Sequence, residues 1–321
     1  MNQDPATPWT LALDIGATKI AYGLIPDTHP LQAHHTGTVP TQPPGGDPLT
    51  QVEVAVRQAL ETSGIIPTRV GVGAPGIIET PGGLVRYNGD TIPGWAGTDL
   101  GEVISRQLKV PVACHNDVRI WAYGEQLLGA GREFPTGRVL YVSLGTGVGG
   151  ALISDGQLVA GPAGSGGEIS ELVCADFRGR ADRVENIASG TSLARYYNTL
   201  RADPRVGRIP WRAPVSGEPE LPEIIHRLEE GDQLAGEIIE GNLAGLGRCL
   251  GALTSAFDLS AIIIGGGVAD LGALVRDPIR RGIREAALLP NREIPVLASA
   301  INKHAPLVGA AAYAREWAVQ E

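Results

Sequence analysis

Two short segments carry the residue types and spacing that phosphate chemistry needs. Leu11-Ala-Leu-Asp-Ile-Gly-Ala-Thr-Lys-Ile20 runs apolar to Asp14, then turns through Gly16, Thr18 and Lys19. Leu140-Tyr-Val-Ser-Leu-Gly-Thr-Gly-Val-Gly-Gly150 repeats the logic with Gly145, Thr146 and Gly147. Both read as strand, tight turn, strand. Glycine lets the backbone approach a ligand closely. Backbone N–H groups gathered at such a turn form an anion-binding concavity. Asp14, at a strand end, can hold a water of Mg²⁺, while Thr18 and nearby N–H groups meet phosphate. The bland alternative is an ordinary hairpin with a turn aspartate. The second copy tips the balance toward two jaws on one phosphorylated ligand, which points to ATP and phosphoryl transfer.

Gly145 to Gly150 also fits the dinucleotide pattern G-x-G-x-x-G. A dinucleotide site needs a helix directly after the glycines. Ala151-Leu-Ile-Ser-Asp-Gly156 follows instead, which is strand and turn. Asn116-Asp117 ends a predicted strand, where α/β folds place ligands. Asp117 there is either a proton acceptor for an attacking hydroxyl, with Asn116 orienting the substrate, or a helix N-cap. Glu168, Glu171 and Glu185 form an acidic group after the second glycine turn. Carboxylates accept hydrogen bonds from sugar hydroxyls; the same residues also suit a solvated loop. A helical turn would put Glu168 and Glu171 on one face. Gly265-Gly266-Gly267 is either a flat backbone for adenine or ribose, or a tight strand-to-helix turn.

The elements that position these residues alternate between strand and helix. Thr10 to Ile25 reads as a hairpin, and Asp27 to Asp47 as an edge strand with loops. His34 and His35 sit in that loop-rich stretch with no third ligand nearby, so they read as exposed. Helices are expected at Leu49 to Thr62, Asp99 to Leu108, Ile120 to Leu128, Ser189 to Leu200, Leu234 to Phe257, Leu274 to Leu288 and Pro306 to Ala318. Strands are expected at Val70 to Val72, Val110 to Ala113, Val139 to Leu144 and Ala261 to Ile264. Gly73-Ala-Pro-Gly76 is a turn. Arg201 to Pro222 is rich in Pro and Arg and reads as an exposed insertion. Gly241, Gly245 and Gly251 suit close packing of the long helix.

The chain has 321 residues, enough for two lobes. Its net charge of −9 gives no basic footprint for nucleic acid. No apolar stretch approaches the roughly 20 residues of a membrane span. Met1 to Pro8 lacks the features of a signal peptide. Three scattered cysteines form neither a disulfide framework nor a zinc cluster, and read as buried thiols in a reducing cytoplasm.

Together these residues resemble the ROK family of bacterial sugar kinases, within the actin/hexokinase-like ATPase superfamily. Asp14-Ile-Gly-Ala-Thr-Lys19 and Gly145-Thr-Gly-Val-Gly-Gly150 are similar to its two phosphate motifs. Gly73-Ala-Pro-Gly76 resembles its turn near the sugar. Asn116-Asp117 matches its N-D pair, whose aspartate the family uses as catalytic base. Glu168 and Glu185 match its sugar-binding glutamates, and Gly265 to Gly267 its adenosine-side glycines. The family's G-E-I-G-H is here Gly167-Glu-Ile-Ser-Glu171, so Glu171 replaces a histidine that touches sugar and zinc. The cysteine cluster that follows in the family is reduced to Cys174, and a structural zinc needs about four ligands. No structural zinc is therefore expected. Ala17 replaces a glycine, and Arg119 stands where asparagine is common.

The resemblance implies an α/β fold of two actin-like lobes related by duplication. The expected N-terminal lobe is 1–116 plus the helix 306–321, and the C-terminal lobe is 117–305. It implies an ATP- and Mg²⁺-dependent kinase acting on a hexose hydroxyl, with C6 of glucose as default and N-acetylmannosamine or another N-acetylhexosamine as alternative. It further implies a homodimer. The family also contains repressors; too few residues precede Thr10 for a helix-turn-helix, which favours the kinase over a sugar-sensing regulator.

Overall fold

The computed structural model describes residues 7–89 and 92–319. The chain forms two compact units. One holds Met1–Glu133, Ala160–Gly166 and Ala300–Glu321; the other holds Phe134–Val159 and Gly167–Ser299. No described helix is long and apolar enough to cross a membrane.

The first unit starts with the hairpin β1 (Trp9–Ile15) and β2 (Lys19–Pro26), paired from Trp9↔Pro26 to Ile15↔Ile20. Leu11, Ala12 and Leu13 are all fully buried, so β1 is covered on both faces. A near-continuous apolar run is what such a central strand requires. β3 (His34–Pro40) lies at the edge. Helix α1 (Pro48–Ser63) is bounded by local chemistry. The Asp47 carboxylate accepts from Thr50 N–H, Pro48 opens the first turn, and Gly64 ends it at φ 66°. Then follow β4 (Arg69–Ala74), the short β5 (Ile77–Ile78) and β6 (Val85–Tyr87), α2 (Leu100–Leu108), β7 (Val112–Asn116) and α3 (Asp117–Leu128). The sheet order is β3-β2-β1-β4-β7, with β4 and β7 parallel to β1. β7 runs on through Asn116, which places the Asn116-Asp117 pair at its end as expected, and its ladder with β4 continues to the Ala74↔Asn116 pair.

The second unit repeats this plan. Its elements are β8 (Arg138–Leu144), β9 (Val148–Ser154), β10 (Gln157–Leu158), β11 (Val173–Ala175), β12 (Ala181–Arg183), α4 (Val184–Ala188), α5 (Gly190–Ala202), α6 (Leu221–Glu229), α7 (Gln233–Phe257), β13 (Ala261–Gly265), α8 (Ala273–Ala286) and β14 (Val296–Ala298). The sheet order is β10-β9-β8-β13-β14, again an antiparallel hairpin and edge strand followed by two parallel strands. Identical order and sense in both units is the mark of an internal duplication. Glycines on α7 allow close contacts: a Cβ on Gly241 would lie 2.3 Å from the Phe177 Cβ, and one on Gly245 2.0 Å from the Ala175 carbonyl. Cys114 and Cys174 are buried free thiols; Cys249 is only half-buried, on the exposed flank of α7.

The last helix, α9 (Ala305–Val319), belongs to the first unit, where it packs on α3 and β4. Its small residues permit backbone contact. A Cβ on Gly309 would lie 2.2 Å from the Ile120 carbonyl oxygen, and one on Gly71 2.0 Å from that of Ala310. Glu125, fully buried on α3, accepts hydrogen bonds from Ala130, Ala300 and Ile301 N–H groups at 2.9–3.1 Å. These contacts keep α3 in the first unit, so the chain leaves that unit after Glu133 rather than at 116.

Gly309→Ala should destabilise the protein by about 1–3 kcal/mol, because the added methyl has no space between α9 and α3. Gly82→Ala, where a Cβ meets nothing within 4 Å, is the control. Thermal denaturation of both variants checks this; equal melting temperatures would mean that α9 moves freely aside.

Candidate functional site

The first glycine turn is held from behind. Thr41 Oγ1 donates to the Gly16 carbonyl at 2.7 Å, Gln42 Nε2 to that of Ala17 at 2.8 Å, and Thr41 N–H to that of Thr18 at 3.0 Å. The Gly16 N–H closes the turn onto the Lys19 carbonyl at 2.9 Å. Ala17, Thr18 and Lys19 are exposed there. Asp14 lies beneath the turn. Burial, with the nearby Asp117 charge, pushes its pKa up to about 7, against a smaller opposing pull from Lys19. A carboxylate in that condition suits a cation. Mg²⁺ usually keeps several waters and uses one or two carboxylates plus phosphates, and Asp14 fits that need.

The start of α3 bears on the cap role weighed for Asp117. Asn116, not Asp117, is the N-cap: its Oδ1 accepts from Val118 N–H at 3.0 Å and Arg119 N–H at 3.2 Å. Asn116 Nδ2 donates to the Gly76 carbonyl at 3.1 Å, which ties the Gly73–Gly76 turn to the helix. Asp117 is therefore the first helical residue, with Oδ1 accepting from Val118 N–H at 2.9 Å. A Cβ on Gly73 would come within 3.4 Å of the Asp117 Cα. Gly76 has φ 100°, and a Cβ there would lie 2.2 Å from the Tyr87 carbonyl, so only glycine fits. His115 is buried; desolvation, then the Arg119 charge, pushes its pKa down to about 3. The neutral ring accepts the Asn116 N–H at Nδ1, 2.8 Å away. Arg119, 2% exposed, donates from Nε and Nη2 to the Gly166 carbonyl at 3.3 and 3.1 Å. It thus anchors the chain just before Glu168, a role that the sequence did not signal.

In the second unit the glycine turn is braced by α5. Gly190 N–H donates to the Gly145 carbonyl at 2.9 Å, and Thr191 N–H to that of Thr146 at 3.4 Å. Glu185 Oε2 accepts from Val148 N–H at 2.6 Å, beside Gly147. Burial raises its pKa, and that hydrogen bond partly offsets the rise. Glu168 is exposed and accepts from Ser170 Oγ at 3.1 Å. Glu171 is also exposed and makes a two-oxygen ion pair with Arg183 at 2.9 and 3.1 Å. No helical turn joins Glu168 to Glu171; the segment is a non-helical turn closed by Leu172 N–H to the Ile169 carbonyl. Gly266 supplies the tight turn, with φ 91° and a would-be Cβ 2.4 Å from the Leu144 carbonyl. Gly267 meets nothing within 4 Å and lines a cavity. The tight strand-to-helix turn weighed for these glycines is thus present at Gly266.

That cavity, about 850 Å³, lies wholly within the second unit. The turn residues Gly145 and Thr146, one face of α5, and Gly267 to Leu271 form three of its sides. The segment Arg212 to Pro222 forms another. As expected for the stretch Arg201 to Pro222, most of that segment is exposed, Ala213 to Gly217 included, even as it borders the cavity. Arg212 and Glu218 pair across it at 2.7 and 2.9 Å, and Asn198 Nδ2 donates to the Pro219 carbonyl at 2.9 Å. These bonds hold it against α5.

The β11–β12 hairpin is closed by Asp176, which is 2% exposed. Its Oδ1 accepts from Arg178 and Arg180 N–H groups at 2.8 and 2.9 Å, and its Oδ2 from the Tyr196 hydroxyl at 3.2 Å. Phe177 N–H donates to Asn242 Oδ1 on α7 at 2.9 Å. Among the described residues, no group of three or more His, Cys, Asp or Glu stands together to hold a metal.

Residues 10–317 match the ROK family model. The glucokinase of Streptomyces coelicolor is 31% identical over 326 residues, covering 96% of this chain and 98% of that protein. The N-acetylmannosamine kinase of Yersinia pestis is 28% identical over 317 residues, covering 95% and 98%. The crystal structure of a ROK family glucokinase from Streptomyces griseus, in complex with glucose and AMPPNP, superposes with a TM-score of 0.77 at 30% identity. That match covers 96% of this chain and 99% of the other. The strand order of both units is accordingly that of the actin/hexokinase-like ATPases.

The Asp14 environment has a measurable consequence. Its folded pKa, about 7, lies above the unfolded value, so the folded state holds the extra proton between the two. Stability from this group is complete below the unfolded pKa and is lost as pH rises toward and through about 7. In EDTA and without nucleotide, Asp14→Asn should melt above the parent at pH 8, by about 2 °C or more, with the gap narrowing at pH 5. A gap that does not change with pH would place Asp14 in solvent.

The Asp176 network predicts a second result. EDTA should leave the parent's melting temperature unchanged. Asp176→Ala should lower it by several degrees, since each orphaned buried donor costs about 1–3 kcal/mol. A loss of stability in EDTA alone would mean that a metal, not Asp176, closes the hairpin.

Proposed function

The chain belongs to the ROK family, and from that premise we propose that it is an ATP-dependent sugar kinase, phosphorylating a hexose hydroxyl, with C6 of glucose as the first choice. The observation that carries this reading is the division of labour at α3. Asn116 supplies the helix cap, so the Asp117 carboxylate is not required for it. An aspartate beside a phosphate-type turn and a second carboxylate, Asp14, has the surroundings of a general base.

In this reading Asp117 accepts the proton of the attacking sugar hydroxyl. Asn116 keeps the Gly76 turn in register with it. Glu168 and Glu185 accept hydrogen bonds from other sugar hydroxyls. Glu171 joins them by exchanging its exposed partner Arg183, an ion pair worth only about 0–1 kcal/mol. The two glycine turns, with Gly16, Thr18 and Lys19 on one and Gly145 to Gly147 on the other, meet the phosphates, while the Gly16 and Gly145 N–H groups close the turns onto the Lys19 and Gly147 carbonyls. Gly265 to Gly267 border the nucleoside. Asp14 would hold Mg²⁺ through water; when bound, the ion offsets the charge of the phosphate oxygens. Transfer of this kind rests mainly on positioning and charge stabilisation. The likeness to an N-acetylmannosamine kinase makes N-acetylhexosamines the alternative acceptors.

ADP release measured with glucose, mannose, N-acetylmannosamine and N-acetylglucosamine tests the reading. One sugar should give turnover well above the sugar-free rate. With that sugar, Asp117→Asn should lower kcat by about 10²-fold or more while sugar affinity, read by calorimetry, stays within about twofold. Turnover near the parent's would reduce Asp117 to a helix residue. Sugar binding without ADP release in the parent would make the protein a sugar sensor.

A further inference from the structure

The segment Ala160–Gly166 belongs to the first unit, although the chain on either side of it belongs to the second. Three of its seven residues are glycine, so its own backbone does little to fix its shape. Two internal hydrogen bonds curl it: Gly166 N–H to the Ala160 carbonyl at 2.7 Å, and Gly164 N–H to the Gly161 carbonyl at 3.2 Å. Its place is set from outside, at two points. Arg119 donates twice, from Nε and Nη2, to the Gly166 carbonyl at 3.3 and 3.1 Å. Gly164 lies against Ile77, so closely that a Cβ there would stand 3.0 Å from the Ile77 Cγ2.

Both points lead back to Asn116. Its Oδ1 accepts from the Arg119 N–H, and its Nδ2 donates to the carbonyl of Gly76, the neighbour of Ile77. The segment, the Gly76 turn and the start of α3 thus form a closed circuit of contacts through Asn116, and Asp117 is the next residue in the chain. Arg119 closes that circuit. It is buried, and its planar fork spends two N–H groups on one carbonyl, which fixes the carbonyl in direction as well as distance. Gly167 follows at φ 82°, with a would-be Cβ 2.4 Å from the Leu152 N, and then comes Glu168. The Glu168 carboxylate therefore stands two residues from the carbonyl that Arg119 holds.

We propose that Arg119 is a positioning residue for the sugar: through Gly166 it keeps the segment that leads into Glu168 in register with Asn116 and Asp117. This rests on the kinase reading above. It goes further in naming a residue that touches no substrate yet sets sugar affinity. Misplacing a substrate-positioning group by about 1 Å can cost about 10²-fold. A loosened segment would cost sugar binding and leave the glycine turns that serve ATP in place.

The test compares KM and calorimetric Kd for the best sugar with KM for ATP. Arg119→Met should raise the sugar KM and Kd by about tenfold or more, with the KM for ATP within about twofold. Arg119→Lys, which keeps one donor for the Gly166 carbonyl, should raise them less. Glu168→Gln should weaken sugar binding in the parent, and clearly less so when combined with Arg119→Met, because both act through one segment. An unchanged sugar KM and Kd in Arg119→Met overturns the proposal. So does an equal rise in both KM values, which would make the residue purely structural. Additive effects of Arg119→Met and Glu168→Gln also overturn it, since they would separate Arg119 from Glu168. If Arg119→Met does not fold, Gly164→Ala decides. Its methyl presses on Ile77 at the other point of attachment, with Arg119 intact, and should raise the sugar Kd by about threefold or more. An unchanged Kd there overturns the proposal. Failure of the underlying reading looks different. A parent that neither binds nor phosphorylates any of the four sugars loses the kinase premise, and this inference falls with it. If the parent phosphorylates a sugar and both variants keep its Kd, only the role of Arg119 fails.

Discussion

A turn whose carbonyls are bonded elsewhere is held in one shape, which fixes the direction of its N–H groups. Both glycine turns meet this condition, and by different means. In the first unit, Thr41 and Gln42 reach over from the end of β3 to the carbonyls of Gly16, Ala17 and Thr18. In the second, the opening N–H groups of α5 take the carbonyls of Gly145 and Thr146. The second solution also joins a helix N-terminus to the turn, which adds the helix dipole to the anion site. A turn whose carbonyls were loose would lose its shape.

The first unit stores its chemistry in groups held away from their preferred state. Asp14 sits where burial and Asp117 disfavour its charge. His115 sits where burial and Arg119 disfavour its cation. Such groups lower the stability of the protein at pH values where their charged forms would prevail in water. The surrounding frame is correspondingly firm. Asn116 caps α3 and grips Gly76, Glu125 gathers three N–H groups, and α9 lies at backbone contact with α3.

The hairpin that follows Glu171 illustrates how one job is done by other atoms. Asp176 gathers two backbone N–H groups and the Tyr196 hydroxyl, and Phe177 docks on α7. A single buried carboxylate has enough acceptor sites to order a short loop. Glu171, meanwhile, faces solvent with Arg183. The loop's fold is therefore carried by residues other than Glu171.

The sequence by itself determined the units of local structure and most of the chemistry-bearing residues. The hairpin at Thr10 to Ile25, the helix closed by Gly64 and the Ser189-capped helix follow from burial period and capping, both of which act within a few residues. The glycine turns and the Asn116-Asp117 pair were legible because turn chemistry demands those residue types at those spacings. What needed the tertiary structure were facts set by distant partners. Whether Asn116 or Asp117 caps α3 depends on Gly76, forty residues earlier in the chain. The Arg212–Pro222 segment looks like a solvated loop in isolation; it becomes a cavity wall only through Asn198 and the Arg212–Glu218 pair, six residues apart and the one signal that the sequence offered. Arg119 and Asp176 carry no motif at all. Their importance comes from burial, and burial belongs to the folded chain as a whole, not to any window of its sequence.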